Sequence, residues 1–236
     1  MRTIRLWFED LASQKEADTV ILDSSESHHF IKVLRGKAGE EVELIDGRGC
    51  RAKSFCQSIK KKLAYFKLGK IESQINGLNL TVIASPPKGK RLPYMLEKLQ
   101  EVGVSNWIPL ETKFSVRDKI SSHQTEKLGE RLKEACKQAG SAWRLNIKNS
   151  ITFTEVFSLT NLVCLDIGGQ KWVAPELLPN QYNLLIGPEA GWSDEEREGL
   201  IEASVPRIGL SNYHLRMETA ALIGAARLLE SNLITE

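Results

Sequence analysis

Two rhythms of apolar and polar positions divide the chain. Up to about residue 72 the pattern is short alternation, over residues 3–8, 19–22, 41–45, 51–59 and 63–71, with Asp46-Gly47 as a turn signal. Alternation of this kind predicts half-buried strands and hence a small β-rich domain, a barrel or a sandwich. One helix is expected within it over residues 26–35, capped by Ser24 or Ser25 and closed by Gly36. From Leu78 onward apolar runs alternate with helical spacing. Strands are predicted at 80–84, 107–110, 162–166, 184–186 and 207–210. Helices are predicted at 92–102, 123–139, 193–203 and 218–231. Strand and helix in turn are the mark of an α/β unit. The boundary is expected at 73–77, giving domains 1–72 and 73–236.

Two strand-to-helix junctions in the second domain carry the clearest chemical signal. Leu184-Leu185-Ile186 runs into Gly187-Pro188-Glu189-Ala190-Gly191, and Ile208-Gly209-Leu210 runs through Ser211 to Arg216 into Glu218-Thr219. Loops at the ends of buried strands present bare backbone N–H and C=O groups, which is where open α/β sheets bind small polar ligands. Two such loops close in sequence predict one shared pocket. Ser193 followed by Asp194, Glu195 and Glu196 fits a capping box. That crowd of carboxylates at a helix start argues against a phosphate resting there, and neither GxGxxG nor GxxxxGK[ST] occurs.

Composition sharpens this picture in three places. With 236 residues and 42% apolar content the chain can fill real cores. No apolar run reaches the roughly 18 residues of a membrane span, and the first residues lack the apolar centre of a signal peptide, so a cytoplasmic location is expected. The four cysteines, Cys50, Cys56, Cys136 and Cys164, show no CxxC spacing, so idle thiols are expected and neither a metal site nor a disulfide framework. The net charge of +2 hides an uneven distribution: between Gly47 and Ile71 stand eight basic residues and no acid. Arg48, Arg51, Lys53, Lys60 and Lys62 belong to this strip, with Phe55, Tyr65 and Phe66 interleaved. A polyanion is the natural partner, and RNA fits best because aromatics can stack on its bases, although the same aromatics would equally serve as core. A membrane surface is the weaker candidate, since the residues alternate as in strands. In the last helix Ala220, Ala221, Gly224 and Ala225 put small residues on neighbouring turns, suited to packing on the chain's own sheet or on a second copy.

Taken in order and spacing, these stretches resemble the RsmE family of 16S ribosomal RNA (uracil-N3)-methyltransferases of the SPOUT superfamily, over essentially the whole chain. The resemblance rests on Arg2 and Arg5, His29 before Val33-Leu34-Arg35, Lys98 with Glu101 before Gly103-Val104 and Pro109, and Glu134-Ala135 with Gln138. LLIGPEAGW and LRMETA are its most specific elements. It implies a PUA-like RNA-binding barrel followed by an α/β domain whose trefoil knot holds S-adenosylmethionine, a feature that general topology rules would have rejected. It also implies a homodimer and methylation of uridine N3 in the decoding region of 16S ribosomal RNA, on the small subunit.

From the resemblance, three loops form the cofactor pocket: 165–169 with Leu165, Asp166 and Gly168; 186–191 with Ile186, Gly187, Pro188, Glu189 and Gly191, preceded by Leu185, also expected to bind the cofactor; and 208–215 with Ile208, Gly209, Leu210 and Leu215. Arg216 is expected to stabilise the negative charge that spreads onto the uracil carbonyls as N3–H is lost, with an ion pair to Glu218 as its structural alternative. Glu189, Glu218 and His214 are the candidate proton acceptors, the two carboxylates having structural alternatives at their loop and helix. Arg2, Arg5, His29, Arg35 and the basic strip are the expected RNA contacts. The chain departs from the family pattern at Lys113, Phe114, Ser141 and Ala190, which bears on the RNA contacts more than on the cofactor loops. The competing readings are a SPOUT methyltransferase acting on another base or a ribose 2′-hydroxyl, and a non-catalytic ribosome assembly factor.

Overall fold

A computed structural model describes residues 3–115, 120–171 and 181–233, the side chains of 231–233 excepted, and Arg2 lies outside the described residues. The chain divides into two compact units, one of residues 1–76 with 133–144 and one of residues 77–132 with 145–236.

The first unit is built on a five-stranded sheet of order β1-β3-β4-β5-β2. Its strands are β1 (Arg5–Trp7), β2 (Thr19–Ile21), β3 (Glu41–Ile45), β4 (Cys50–Lys60) and β5 (Leu63–Ser73). β1 joins β3 in parallel, and the remaining pairs are antiparallel. The inward positions of the alternating pattern, Leu6, Val20, Val42, Leu44, Ala52, Cys56, Phe66 and Leu68, form the core with Phe30. Phe66 is therefore no stacking platform: it is fully buried, edge-on to Phe30 at 5.1 Å between ring centres. The expected helix is shorter and differently capped. α1 (Ser24–His28) is capped by the Asp23 carboxylate, which accepts from the Glu26 amide, because Asp23 and not Ser24 holds the extended backbone that lets a side chain reach the first turn. A wider π turn, His29–Val33, follows, and Arg35 rather than Gly36 takes the left-handed conformation that ends it (φ 57°). Gly36 serves a different need, since a Cβ there would lie 2.1 Å from the Phe30 ring.

Residues 133–144 contribute a cluster of buried charge to this unit. The Lys137 ammonium donates to Glu26 at 2.6 Å and pairs with Glu134 at 2.7 Å, while the other Glu26 oxygen accepts from the Trp7 amide of β1. Burial works against the Lys137 charge, yet the bonds to Glu134 and Glu26 outweigh it and hold its pKa above 10.5.

The second unit carries a sheet of order β12-β10-β11-β6-β7-β8, with β9 (Ile151–Thr152) also paired to β7, and every pairing is parallel. The strands of the path are β6 (Asn79–Ala84), β7 (Asn106–Glu111), β8 (Asn146–Ile147), β10 (Leu162–Lys171), β11 (Gln181–Ile186) and β12 (Arg207–Gly209). Burial on both faces explains the unbroken apolar runs of β6, β10 and β11. α2 (Arg91–Val102) packs with α5 (Met217–Leu233) on one face, in a core that includes Leu96, Leu99, Leu184 and Ala225. α4 (Asp194–Glu202) contributes Leu200 to a core containing Ile83, Cys164 and Leu185. The remaining helix, α3 (Ser122–Ala139), contributes Leu128 and Leu132 to the larger core.

The capping box at α4 is complete: Ser193 Oγ accepts from the Glu196 amide, and the Glu196 carboxylate accepts from the Ser193 amide. Small residues of α5 pack inward on the chain's own sheet. Ala221 and Ala225 are fully buried, and a Cβ at Gly224 would lie 2.7 Å from Leu165 and 3.0 Å from Leu184. The cysteines are free thiols, three of them buried, and burial pushes Cys136 and Cys164 up to about 12.

Candidate active site

At the C-terminal ends of β10, β11 and β12 the chain surrounds a cleft of about 690 Å³ within the second unit. Its first wall arises from an irregularity that the sequence pattern does not announce. Leu165 and Gln170 both lie opposite Ile208, so residues 166–169 bulge out of β10, and Asp166, Ile167 and Gly168 face the cleft. The bulge closes tightly on β12: a Cβ at Gly169 would come within 2.7 Å of the Arg207 and Ile208 backbone. Asp166 is held by two guanidinium groups, Arg207 at 3.1 Å and Arg197 at 3.6 Å, with its carboxylate almost wholly buried.

The second wall is the loop after β11, in which Ile186, Gly187, Pro188, Glu189 and Gly191 all line the cleft. Gly187 is required by close approach, since a Cβ would lie 2.9 Å from the indole of Trp192, which closes the floor beside it. The third wall is the loop from β12 to α5, contributing Ile208, Leu210, His214, Leu215 and Arg216. His214 and Arg216 are exposed at this rim, and no carboxylate among the described residues pairs with Arg216. The expected alternative, an ion pair from Arg216 to Glu218, is thus not formed.

Three residues expected at the pocket do not line it. Leu185 points to the opposite face of the sheet, where it is buried among Cys164, Trp192 and Leu200, because successive strand positions alternate sides. Gly209 serves the bulge: a Cβ would meet the Gly169 carbonyl at 3.2 Å. Glu218 is 6% exposed at the start of α5, and its Oε2 accepts no hydrogen bond. The residue facing Glu218 is Arg91, the first of α2, which escaped sequence reasoning altogether. Its guanidinium contacts Glu189 at 2.7 Å and stands 4.0 Å from Glu218 Oε2. Ile167, Ser211 and Tyr213 line the cleft within the expected loops, and Arg197, Trp192 and Met217 are further cleft residues outside them.

The expected RNA contacts among the described residues lie in the first unit. Arg35, Lys53, Lys60 and Lys62 are exposed, and His29 is half-buried. Arg5 and Arg51 are instead drawn to Glu43, at 2.7 and 3.5 Å, and Arg48 pairs with Glu9 at 3.1 Å, so part of the basic strip is neutralised within the unit. The departure at Lys113 is absorbed locally, since its ammonium bonds Glu195 at 3.0 Å and, with the Glu195 amide and the Ser193 side chain, holds that carboxyl down at about 2. Among the described residues no cluster of His, Cys, Asp and Glu has the arrangement of a metal site, and no helix is long and apolar enough to cross a membrane.

The second unit has an all-parallel sheet with a loop-built cleft at its carboxyl ends, and the first is a small β-rich unit; both stretches of sequence match known family models. Residues 74–229 match the RNA methyltransferase domain family and residues 22–69 match the RNA methyltransferase PUA domain. The chain belongs to the RNA methyltransferase family. Within it the chain resembles the proteins named ribosomal RNA small subunit methyltransferase E: that of Bacillus subtilis is 28% identical, covering 92% of each chain. The solved Neisseria gonorrhoeae enzyme of that name, bound to S-adenosyl methionine, shares 23% identity and a TM-score of 0.86 over 98% of each chain. A Legionella pneumophila protein, in complex with the bound cofactor SAM, shares 22% identity and a TM-score of 0.87 over 98% of each chain. The RsmE resemblance and its SPOUT-type fold with a PUA-like N-terminal unit therefore stand.

Proposed function

We propose that this chain binds S-adenosylmethionine in the three-loop cleft and methylates N3 of a uridine in the decoding region of 16S ribosomal RNA, on the small ribosomal subunit and as a homodimer. The observation that carries this reading is the cleft itself. Its volume of about 690 Å³ suits a nucleoside-sized ligand, and apolar Leu165, Ile186, Ile208 and Met217 can flank a flat heterocycle. Backbone groups of 187–191 and 208–215 supply the polar recognition, since adenine and ribose are read largely by main-chain donors and acceptors in loops of this kind. Bound there, S-adenosylmethionine supplies a methyl group on an already activated sulfonium, so the protein's tasks are positioning, exclusion of water and handling one proton.

Arg216 and His214 share the rim loop, two residues apart. Loss of the N3 proton leaves negative charge on the two flanking carbonyl oxygens, and the Arg216 fork is suited to both charge and planarity. His214 lies at the same rim and is assigned the proton-accepting role, an imidazole nitrogen being suited to general-base catalysis. Glu218 is buried behind the wall and Glu189 is engaged by Arg91, so neither is assigned the proton-accepting role.

The direct test is to incubate the protein with S-adenosylmethionine labelled in its methyl group and small subunits lacking this modification. Label should enter the RNA. Absence of cofactor binding would sink the enzyme reading and leave the assembly factor. The RNA surface is tested by reversing charge at Lys60, Lys61 and Lys62, exposed at the β4–β5 turn. Affinity for small subunits should fall by an order of magnitude or more, and the slope of log affinity against log salt should drop by about two to three. An unchanged slope would remove this turn from the interface.

A further inference from the structure

The cleft has two charged stations, and they differ in how well they are satisfied. At one, Asp166 sits between Arg207 and Arg197 at 3.1 and 3.6 Å, and the group is complete within the protein. At the other, a single cation, Arg91, faces two carboxylates. It holds Glu189 at 2.7 Å, while its other terminal nitrogen stops 4.0 Å short of Glu218 Oε2, a buried oxygen with no hydrogen-bond donor. A buried carboxylate oxygen without a donor is costly, and one that stands 4.0 Å from a cation lining the cleft is poised to gain that donor. The station also carries one negative charge in excess, which favours a cationic donor.

Resting on the proposed cofactor reading, we propose that Arg91, Glu189 and Glu218 form the subsite for the α-amino-acid end of the ligand, taking its ammonium and carboxylate together. The ligand ammonium takes over Glu189, which lines the cleft. Arg91, released from that bond, moves about an ångström to bring its nitrogen within hydrogen-bond distance of Glu218. Its guanidinium carries five donors, so it can bond the ligand carboxylate at the same time. The Glu218 oxygen left without a donor in the free protein is then paired. Arg91 thereby selects nucleosides that carry an amino-acid tail.

The experiment is calorimetric titration of the intact protein with two probes that differ in this tail. S-adenosylhomocysteine has the α-amino-acid group, and 5′-methylthioadenosine lacks it. Wild type should bind S-adenosylhomocysteine at least tenfold more tightly. Arg91→Met and Glu189→Gln should each weaken S-adenosylhomocysteine by about 10- to 100-fold while leaving 5′-methylthioadenosine within about twofold, which also shows that the variants are folded. Glu218→Gln, nearly isosteric, should show the same selectivity with a smaller loss. Equal weakening of both probes would make the cluster structural and overturn the assignment, as would unchanged binding of S-adenosylhomocysteine. Failure of wild type to bind either probe would instead overturn the cofactor reading beneath it.

Discussion

Replacing Arg216 with alanine should lower kcat for methyl transfer by about 10²- to 10³-fold, the range seen when one donor to a developing oxyanion is removed. Binding of S-adenosylhomocysteine and of the small subunit should change little. The reason is positional: Arg216 lies on the cleft rim and spends its charge on no carboxylate among the described residues, so it is available to the substrate. Arg216→Lys should recover only part of the loss, because an ammonium cannot span two carbonyl oxygens as a planar fork does. Single-turnover kinetics with saturating subunits separates the outcomes. A rate within threefold of wild type would remove Arg216 from the chemistry, and a loss confined to KM would make it a binding residue.

Lys137→Met should destabilise the first unit by about 3 kcal/mol, at the lower end of the cost of breaking a buried ion pair because Glu134 remains in contact with water. The penalty arises from what is left behind. Without the ammonium, Glu26 keeps its bond to the Trp7 amide but loses its countercharge in a nearly dry site. The double variant Lys137→Met with Glu26→Gln should regain a substantial part of the loss, which denaturant unfolding would register as a coupling between the two positions. The pH dependence has a definite sign. The pKa of Lys137 in the folded protein is raised above 10.5, so its contribution is fully present below that value and fades as pH rises through the higher folded one. A loss below about 1 kcal/mol, or additive effects, would contradict the cluster's role.

The parts of this molecule legible in its sequence are those fixed by neighbours along the chain. Ser193 with Glu196 is a capping box because four consecutive residues define it, and the apolar runs of β6 and β11 read directly as buried strands. What escaped depends on which strands lie side by side. Arg91 follows a stretch of lysine and glycine and looks like an ordinary solvated helix start, nearly a hundred residues from Glu189. It meets Glu189 because β6 pairs with β11, Ala84 opposite Ile186, so the segments after both strands leave the sheet at the same end. The strand order that makes this juxtaposition is not encoded in any local pattern. A similar limit affected the basic strip. The sequence window from Gly47 to Ile71 holds no acid, yet the sheet sets Glu43 opposite Lys53 and Glu72 opposite Arg51. Leu185 was misassigned for the simplest reason: in a strand buried on both faces, polarity does not say which side faces the cleft.

Mass spectrometry of the modified RNA identifies the methylated atom, expected to be N3 of a uridine. Small subunits lacking the modification would be methylated by the purified protein, and the RNA then digested to nucleosides. The expected product is 3-methyluridine, formed at a single site in the decoding region of 16S RNA. A 2′-O-methylnucleoside, or a methyl group on any other base position, would contradict it while leaving the fold and the cleft as they are.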